Sequence, residues 1–171
     1  MKKYCIDTSG ITNPLEQMPE DIHVAIWSGV SRLLTGGVFA VTTEIYDEMT
    51  RIPGSVGASI SGSKRAMVLE VGDSSWDWPA YIDASRMLHE RYEPYVSEWH
   101  GGMARTVGLN DLSIVALAIA LRLPLVSMEV PVLQAGYNPS TNKRRIPDIC
   151  TAERVEHLSF NDLLRREGIR G

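Results

Sequence analysis

The sequence predicts an α/β fold built on a central, mostly parallel sheet flanked by helices. Three observations carry this. Short apolar runs with strand character, Tyr4-Cys5-Ile6, Val38-Phe39-Ala40-Val41 and Leu123 to Met128, alternate with stretches of helical period. The segment from Asp111 to Leu121 is apolar nearly all round, the pattern of a helix buried on most sides. The chain has 171 residues and no repeat, low-complexity block or linker composition. Residues 1–171 are therefore read as a single domain with a real core.

The elements follow in order. Tyr4-Cys5-Ile6 reads as a strand ending in Asp7-Thr8-Ser9-Gly10, with turn formers up to Asn13-Pro14. A helix is expected from about Glu20 to Leu34, because Ile22, Ile26, Val30, Leu33 and Leu34 recur at helical spacing and Gly36-Gly37 stops it. After the strand Val38–Val41, Thr42 or Thr43 caps a helix through Glu44, Asp47, Glu48 and Met49. Ile52 to Ser63, rich in Gly and Ser, reads as a mobile loop. A helical stretch from about Lys64 to Val71, a polar turn with Trp76 and Trp78, and a helix from Tyr81 to Tyr92 come next. Asn110 is expected to cap the apolar helix, and Pro124 opens the strand that ends at Met128. Gln134 to Arg145 reads as a polar loop and Arg145 to Cys150 as extended chain. Ser159, with Asp162 three residues on, caps a last helix.

Composition removes several function classes. Lys and Arg number 17 against 21 Asp and Glu, a formal charge of −4. Hydrophobic residues are 44% and charged residues 22%, which excludes a disordered chain or acidic tail. A protein that holds nucleic acid by bulk positive charge is excluded too, so any such role needs a local site. Cys5 and Cys150 are far apart, and no Cys/His cluster has zinc spacing, as expected of reduced thiols in a cytoplasmic protein. The N-terminus is charged too early for a secretory signal, and the longest apolar stretch is too short to span a membrane.

Reactive side chains are sought beyond the carboxyl ends of the strands, where open α/β sheets bind ligands. Asp7 follows the first strand and Glu129 the late one. Asp111 stands in the first turn of the apolar helix, and Glu44, Asp47 and Glu48 stand early in the helix after the second strand. Carboxylates that converge without a basic partner repel one another, and a divalent cation is the usual reason for such a cluster. Mg²⁺ or Mn²⁺ prefers oxygen ligands and suits phosphodiester hydrolysis. The plainer alternative is that Asp7 shapes a turn and Asp111 sits at a favourable helix start.

These residues resemble the pattern of PIN-domain nucleases, the family of VapC-type toxins, over nearly the whole chain. Tyr4-Cys5-Ile6-Asp7-Thr8-Ser9 resembles the opening strand and first acid of that family. Val41-Thr42-Thr43-Glu44-Ile45-Tyr46-Asp47-Glu48-Met49 is similar to its strand-to-helix segment, and the acid before a large apolar residue selects Glu48. Leu109 to Ala118 resembles its third motif, headed by Asp111, and Leu125-Val126-Ser127-Met128-Glu129 its last. Two features depart from the pattern. Glu129 stands where many members have Asp, and the added Arg145-Ile146-Pro147-Asp148-Ile149-Cys150 looks like a longer PIN-like subgroup. The resemblance implies a single PIN-like domain and a Mg²⁺- or Mn²⁺-dependent ribonuclease, the toxin of a toxin–antitoxin pair. It implies that Asp7, Glu48, Asp111 and Glu129 hold the metal, while Ser9 and Ser127 orient carboxylates or water. Asp148 is either a further site carboxylate or a turn former. Arg105 and Lys143-Arg144-Arg145 are candidate RNA phosphate contacts, with a solvated loop as the alternative. Trp76 and Trp78 either stack on bases or join the edge of the core. An antitoxin protein, RNA and a second copy of the chain are the expected partners, and none is a membrane.

Other readings are weaker. Gly57-Ala58-Ser59-Ile60-Ser61-Gly62-Ser63-Lys64 approximates a P-loop, but Ser63 intervenes before the lysine. No G-x-G-x-x-G occurs, and no lysine follows a late strand as a phospho-receiver would need. A non-catalytic PIN-like module that binds a protein partner is the alternative function. Without Asp7, Glu48, Asp111 and Glu129 the acidic and basic counts are equal at 17 each, so the charge deficit equals that of the proposed site.

Overall fold

A computed structural model of the chain describes residues 1–101, 107–133 and 143–171. The strands are β1 (Tyr4–Ile6), β2 (Phe39–Ala40), β3 (Leu125–Val126) and β4 (His157–Leu158). They form one sheet in the order β2-β1-β3-β4, and every pairing is parallel. Cys5 stands opposite both Ala40 and Leu125, and Leu125 opposite His157. The helices are α1 (Thr12–Glu16), α2 (Val24–Thr35), α3 (Thr43–Thr50), α4 (Ser55–Ser61), α5 (Lys64–Met67), α6 (Trp78–Tyr92), α7 (Leu109–Leu121), α8 (Ile146–Glu153) and α9 (Phe160–Arg166). The predicted α/β class therefore holds, with a parallel sheet flanked by helices, an arrangement consistent with a PIN-like fold. Among the described residues no helix is long and apolar enough to cross a membrane.

The two-residue strands are possible because both faces of the sheet are covered. Cys5, Ile6, Phe39, Ala40, Leu125 and Val126 are all fully buried, as parallel strands between helical layers must be. Leu112, Ile114, Val115, Ala116 and Leu117 of α7 are also fully buried. One side of α7 meets β1 and β3, and α6 lies along another, which explains an apolar pattern all round the helix. Lys2 secures the sheet edge, its ammonium donating to the carbonyls of Phe39, Ala66 and Met67. Cys5 and Cys150 are buried free thiols, and burial pushes Cys150 up to about 12.

Several local expectations change. Ile52–Ser63 is not a loop, since Ser55–Ser61 is helical. A Cβ at Gly57 would stand 1.9 Å from the Ile52 carbonyl oxygen, so this glycine permits a close approach. The segment is thus no phosphate loop. Arg145–Cys150 is not extended, because α8 starts at Ile146 with Pro147 in its first turn, where proline is favoured. The helix expected from Glu20 begins at Val24, and Gly108 rather than Asn110 precedes the first turn of α7. Trp76 joins the edge of the core, its indole donating to Glu70 O at 2.8 Å and its ring tilted on Tyr81.

The short helical turn Thr8–Gly10, which carries Asp7 at its cap, presses against β3. A Cβ at Gly10 would lie 2.6 Å from the Val126 carbonyl oxygen. Gly10→Ala is therefore expected to cost about 1–3 kcal/mol of stability through overpacking. Urea denaturation reads this, and an unchanged midpoint would show that β3 gives way without strain.

Candidate active site

The strand order creates a crevice. The chain leaves β1 for β2 on one side, crosses back to β3 on the other, and continues outward to β4. Ligands of such sheets bind at this switch point, between the carboxyl ends of the two central strands. Asp7 follows β1 and Ser127 follows β3, so both stand at the switch.

Asp7 is 6% exposed. Its Oδ2 accepts from the Ser9 N–H at 3.1 Å and from the Ser9 hydroxyl at 2.6 Å. Ser9 Oγ in turn accepts from the Met128 N–H at 3.0 Å, so one hydroxyl ties the end of β1 to the end of β3. Burial raises Asp7 above the usual carboxylate range, against the lowering effect of the Ser9 hydrogen bonds.

Asp111 is set by the start of α7, where its Oδ2 accepts from the Gly108 N–H at 2.7 Å. Its carboxyl is pushed up to about 7. Burial is the largest cause, the Gly108 bond opposes it, and the charges of Glu129, Asp7 and Glu48 add to it. The four acids selected from sequence are thus electrostatic neighbours around Asp111. Glu48 is exposed on α3, and one turn back Glu44 acts instead on Tyr81 of α6. Glu48 is thus the acid of α3 whose charge acts on Asp111. Glu98, which the sequence reading did not single out, is also close. Its Oε1 accepts from the Leu109 N–H at 3.0 Å, and a Cβ at Gly108 would meet Glu98 Oε1 at 3.3 Å and Asp111 Oδ2 at 3.4 Å. Burial alone would raise Glu98, but its bonds from Leu109 and Ser97 hold it low. It caps α7 and so positions Asp111.

Glu129 lies just beyond β3 and is held by an N–H from α8, that of Ile146, which donates to its Oε2 at 2.8 Å. Burial raises Glu129, the Ile146 bond lowers it, Asp7 raises it and the charge of Arg145 lowers it. Ser127 is fully buried. Its Oγ lies 2.8 Å from His157 Nε2 and accepts from the Glu129 N–H at 3.4 Å. Ser127 therefore orients the Glu129 backbone. His157 was missed because β4 was not recognised; burial lowers its pKa while Asp162 and Asp7 raise it. Asp148 is 5% exposed, and its oxygens accept from the N–H groups of Val132, Leu133 and Arg145. It is a backbone clamp beside the site.

The donor set is oxygen throughout. Three carboxylates, Glu129, Asp7 and Glu48, act on Asp111 by their charge. Neighbouring carboxylates of this kind, with Asp7 buried and Asp111 and Glu129 partly so, fit a hard divalent ion. One oxygen of each of Asp7, Asp111 and Glu129 is occupied by a hydrogen bond from the protein. Among the described residues no three His, Cys, Asp or Glu side chains are already closed into a group that could hold an ion. Like charges with no ion between them repel, which opposes such closure.

Of the basic candidates, Arg145 acts directly on Glu129. Arg144 lies over the Tyr95 ring at 4.4 Å and donates to its hydroxyl at 3.3 Å, and Lys143 precedes it. Arg105 lies outside the described residues, as does 134–142 of the polar loop. A family model described as a domain of unknown function, DUF4411, matches residues 4–171. No curated protein matches the sequence.

Proposed function

The chain belongs to the DUF4411 family, and we propose that it is a Mg²⁺- or Mn²⁺-dependent ribonuclease of PIN-like type. The observation that carries this reading is Asp111, pushed up to about 7 among Glu129, Asp7 and Glu48 at the switch point of a parallel sheet. Asp7, Glu48, Asp111 and Glu129 would hold the ion. When bound, a divalent ion lowers the pKa of a coordinated water and offsets charge building on a phosphate. The chain's own residues supply position. Ser9 fixes one oxygen of Asp7, the Gly108 amide fixes Asp111, and Ser127 with Ile146 fixes Glu129. Arg145, whose charge acts on Glu129, would contact phosphate, with Lys143 and Arg144 preceding it in the chain as further candidates.

The proposal extends to a toxin restrained by an antitoxin protein, for which the exposed Met128, Val130 and Leu133 beside Glu129 offer an apolar contact. The test is cleavage of RNA by purified chain with Mg²⁺ or Mn²⁺. Asp7→Asn and Glu129→Gln are expected to keep the circular dichroism spectrum and lose about a hundredfold or more in rate. Equal cleavage by wild type and both variants would sink the assigned roles. A wild type that cuts nothing with either ion, yet captures a protein partner, would favour the binding module.

A further inference from the structure

We propose that the cavity at the amino ends of β3 and β4 binds a phosphate monoester between Arg122 and Arg154. The cavity measures about 310 Å³, within the range of small-ligand clefts. Leu123 and Pro124, which lead into β3, and Val155 and Glu156, which lead into β4, form part of its wall. It therefore lies at the opposite end of the strands from Asp7 and Glu129, and the proposal stands without the ribonuclease reading. Among the described residues, Arg122 and Arg154 are the two non-glycine residues with positive φ, 54° and 59°. They follow α7 and α8 in the left-handed conformation that glycine adopts most readily. The next amide closes each helix, Leu123 N–H donating to Ala118 O at 3.1 Å and Val155 N–H to Cys150 O at 2.8 Å. An unfavourable backbone conformation held by arginine twice on one cavity points to a use for the guanidinium groups.

The sheet register brings the two helix ends together. Leu125 pairs with His157, and each arginine stands three residues ahead of its member of that pair. The arginines thus occupy equivalent positions before parallel strands whose lines run about 4.8 Å apart, and both line the cavity. Two acids share the wall, Glu153 and Glu156, but each already has a partner. Glu153 accepts from Arg91 Nη1 and from the Tyr92 hydroxyl, both at 2.7 Å. Glu156 accepts from Arg166 Nη1 at 3.1 Å. Among the described residues Arg122 and Arg154 make no ion pair and no side-chain hydrogen bond. Four arginines against two glutamates leave the neighbourhood at +2. A phosphate monoester complements this, with a charge of roughly −1.5 to −2 at pH 7 and terminal oxygens that match planar guanidinium forks. Ile119, Leu123 and Val155 give apolar wall for the organic part of the ester.

The test uses the full chain at pH 7 in chelator, with ribose 5-phosphate, inorganic phosphate, succinate and acetate as probes. NMR titration with ribose 5-phosphate is expected to move the backbone amide signals of Leu123 and Val155. The ester should bind more tightly than inorganic phosphate or succinate, and about tenfold or more above acetate. Arg122→Gly and Arg154→Gly suit the left-handed backbone. Each is expected to melt no lower than wild type and to lose about tenfold in affinity for the ester. Arg122→Lys keeps the charge without the fork and should fall between. No binding, or affinity unchanged in both Gly variants, overturns the site. Gly variants that melt well below wild type show that the arginines serve the helix ends, which overturns it too. Inorganic phosphate binding as tightly as the ester makes free phosphate the occupant and overturns the ester assignment. Succinate binding more tightly than both phosphates overturns phosphate as the ligand class.

Discussion

Replacing Asp111 by Asn is expected to raise the stability of the metal-free protein at about pH 8 while abolishing metal-dependent cleavage. The reason is the cost of ionising this carboxyl where it stands. Its folded value of about 7 exceeds its ordinary 3.8, chiefly through burial and then through Glu129, Asp7 and Glu48. Between those two values the folded chain binds more protons than the unfolded one. Stability therefore falls as pH rises through that window, by about 1.4 kcal/mol for each pH unit while the difference in protonation is complete. An Asn side chain stays neutral and its Oδ1 can still accept from the Gly108 N–H. The variant should match wild type near pH 4, gain on it up to about pH 7 and hold a constant lead above. Thermal melting across this range in chelator measures the gap. A gap that does not change with pH, or a variant less stable at pH 8, would show that the cluster does not strain the fold. Adding Mn²⁺ should stabilise wild type and do so much less for the variant, which ties the strain to the ion.

That strained group was legible in the sequence for local reasons, and other features were not. Asp7 stands directly after an apolar strand, and Asp111 heads the most apolar helix, so each is marked by a change of pattern at its own position. Glu48 needed the family resemblance, because Glu44 and Glu48 are i, i+4 neighbours and only the position of α6 and α7 separates their roles. The two-residue strand β4 has no pattern of its own. His157 and Leu158 become a strand through pairing with Leu125 and Val126, a contact no local rule contains. Glu98 escaped for the same reason, since it caps a helix that starts 11 residues further on. The helix α8 was misjudged although its signals were present. Pro147 in the first turn with Asp148 at the third position is a helix start, although Arg145 to Cys150 reads as extended chain in the sequence. Gly57 misled in the opposite direction, since the glycine serves close backbone contact rather than a loop.

Asp148→Ala is expected to be the most destabilising change at the rim of the site, although Asp148 is no ligand in the proposed mechanism. Its Oδ1 accepts from the Leu133 N–H at 2.9 Å, and its Oδ2 from the N–H groups of Val132 and Arg145, both at 3.0 Å. One carboxylate thus binds the chain that follows Glu129 to the start of α8. The next amide, that of Ile146, is the one that donates to Glu129 Oε2. Alanine leaves three partly buried donors without an acceptor, each at a cost of about 1–3 kcal/mol. These losses are not additive at one site, and a total of roughly 3–5 kcal/mol corresponds to about 10 °C in melting temperature. Cleavage should fall as well, because Glu129 loses the frame that aims it. Asn restores one acceptor oxygen but not both, so Asp148→Asn should lie between Ala and wild type in melting temperature measured without metal. A metal ligand would behave otherwise: the Asn variant would keep its metal-free melting temperature and lose the shift produced by Mn²⁺. The order of the three proteins in chelator, set beside their Mn²⁺ shifts, decides whether Asp148 clamps backbone or binds the ion.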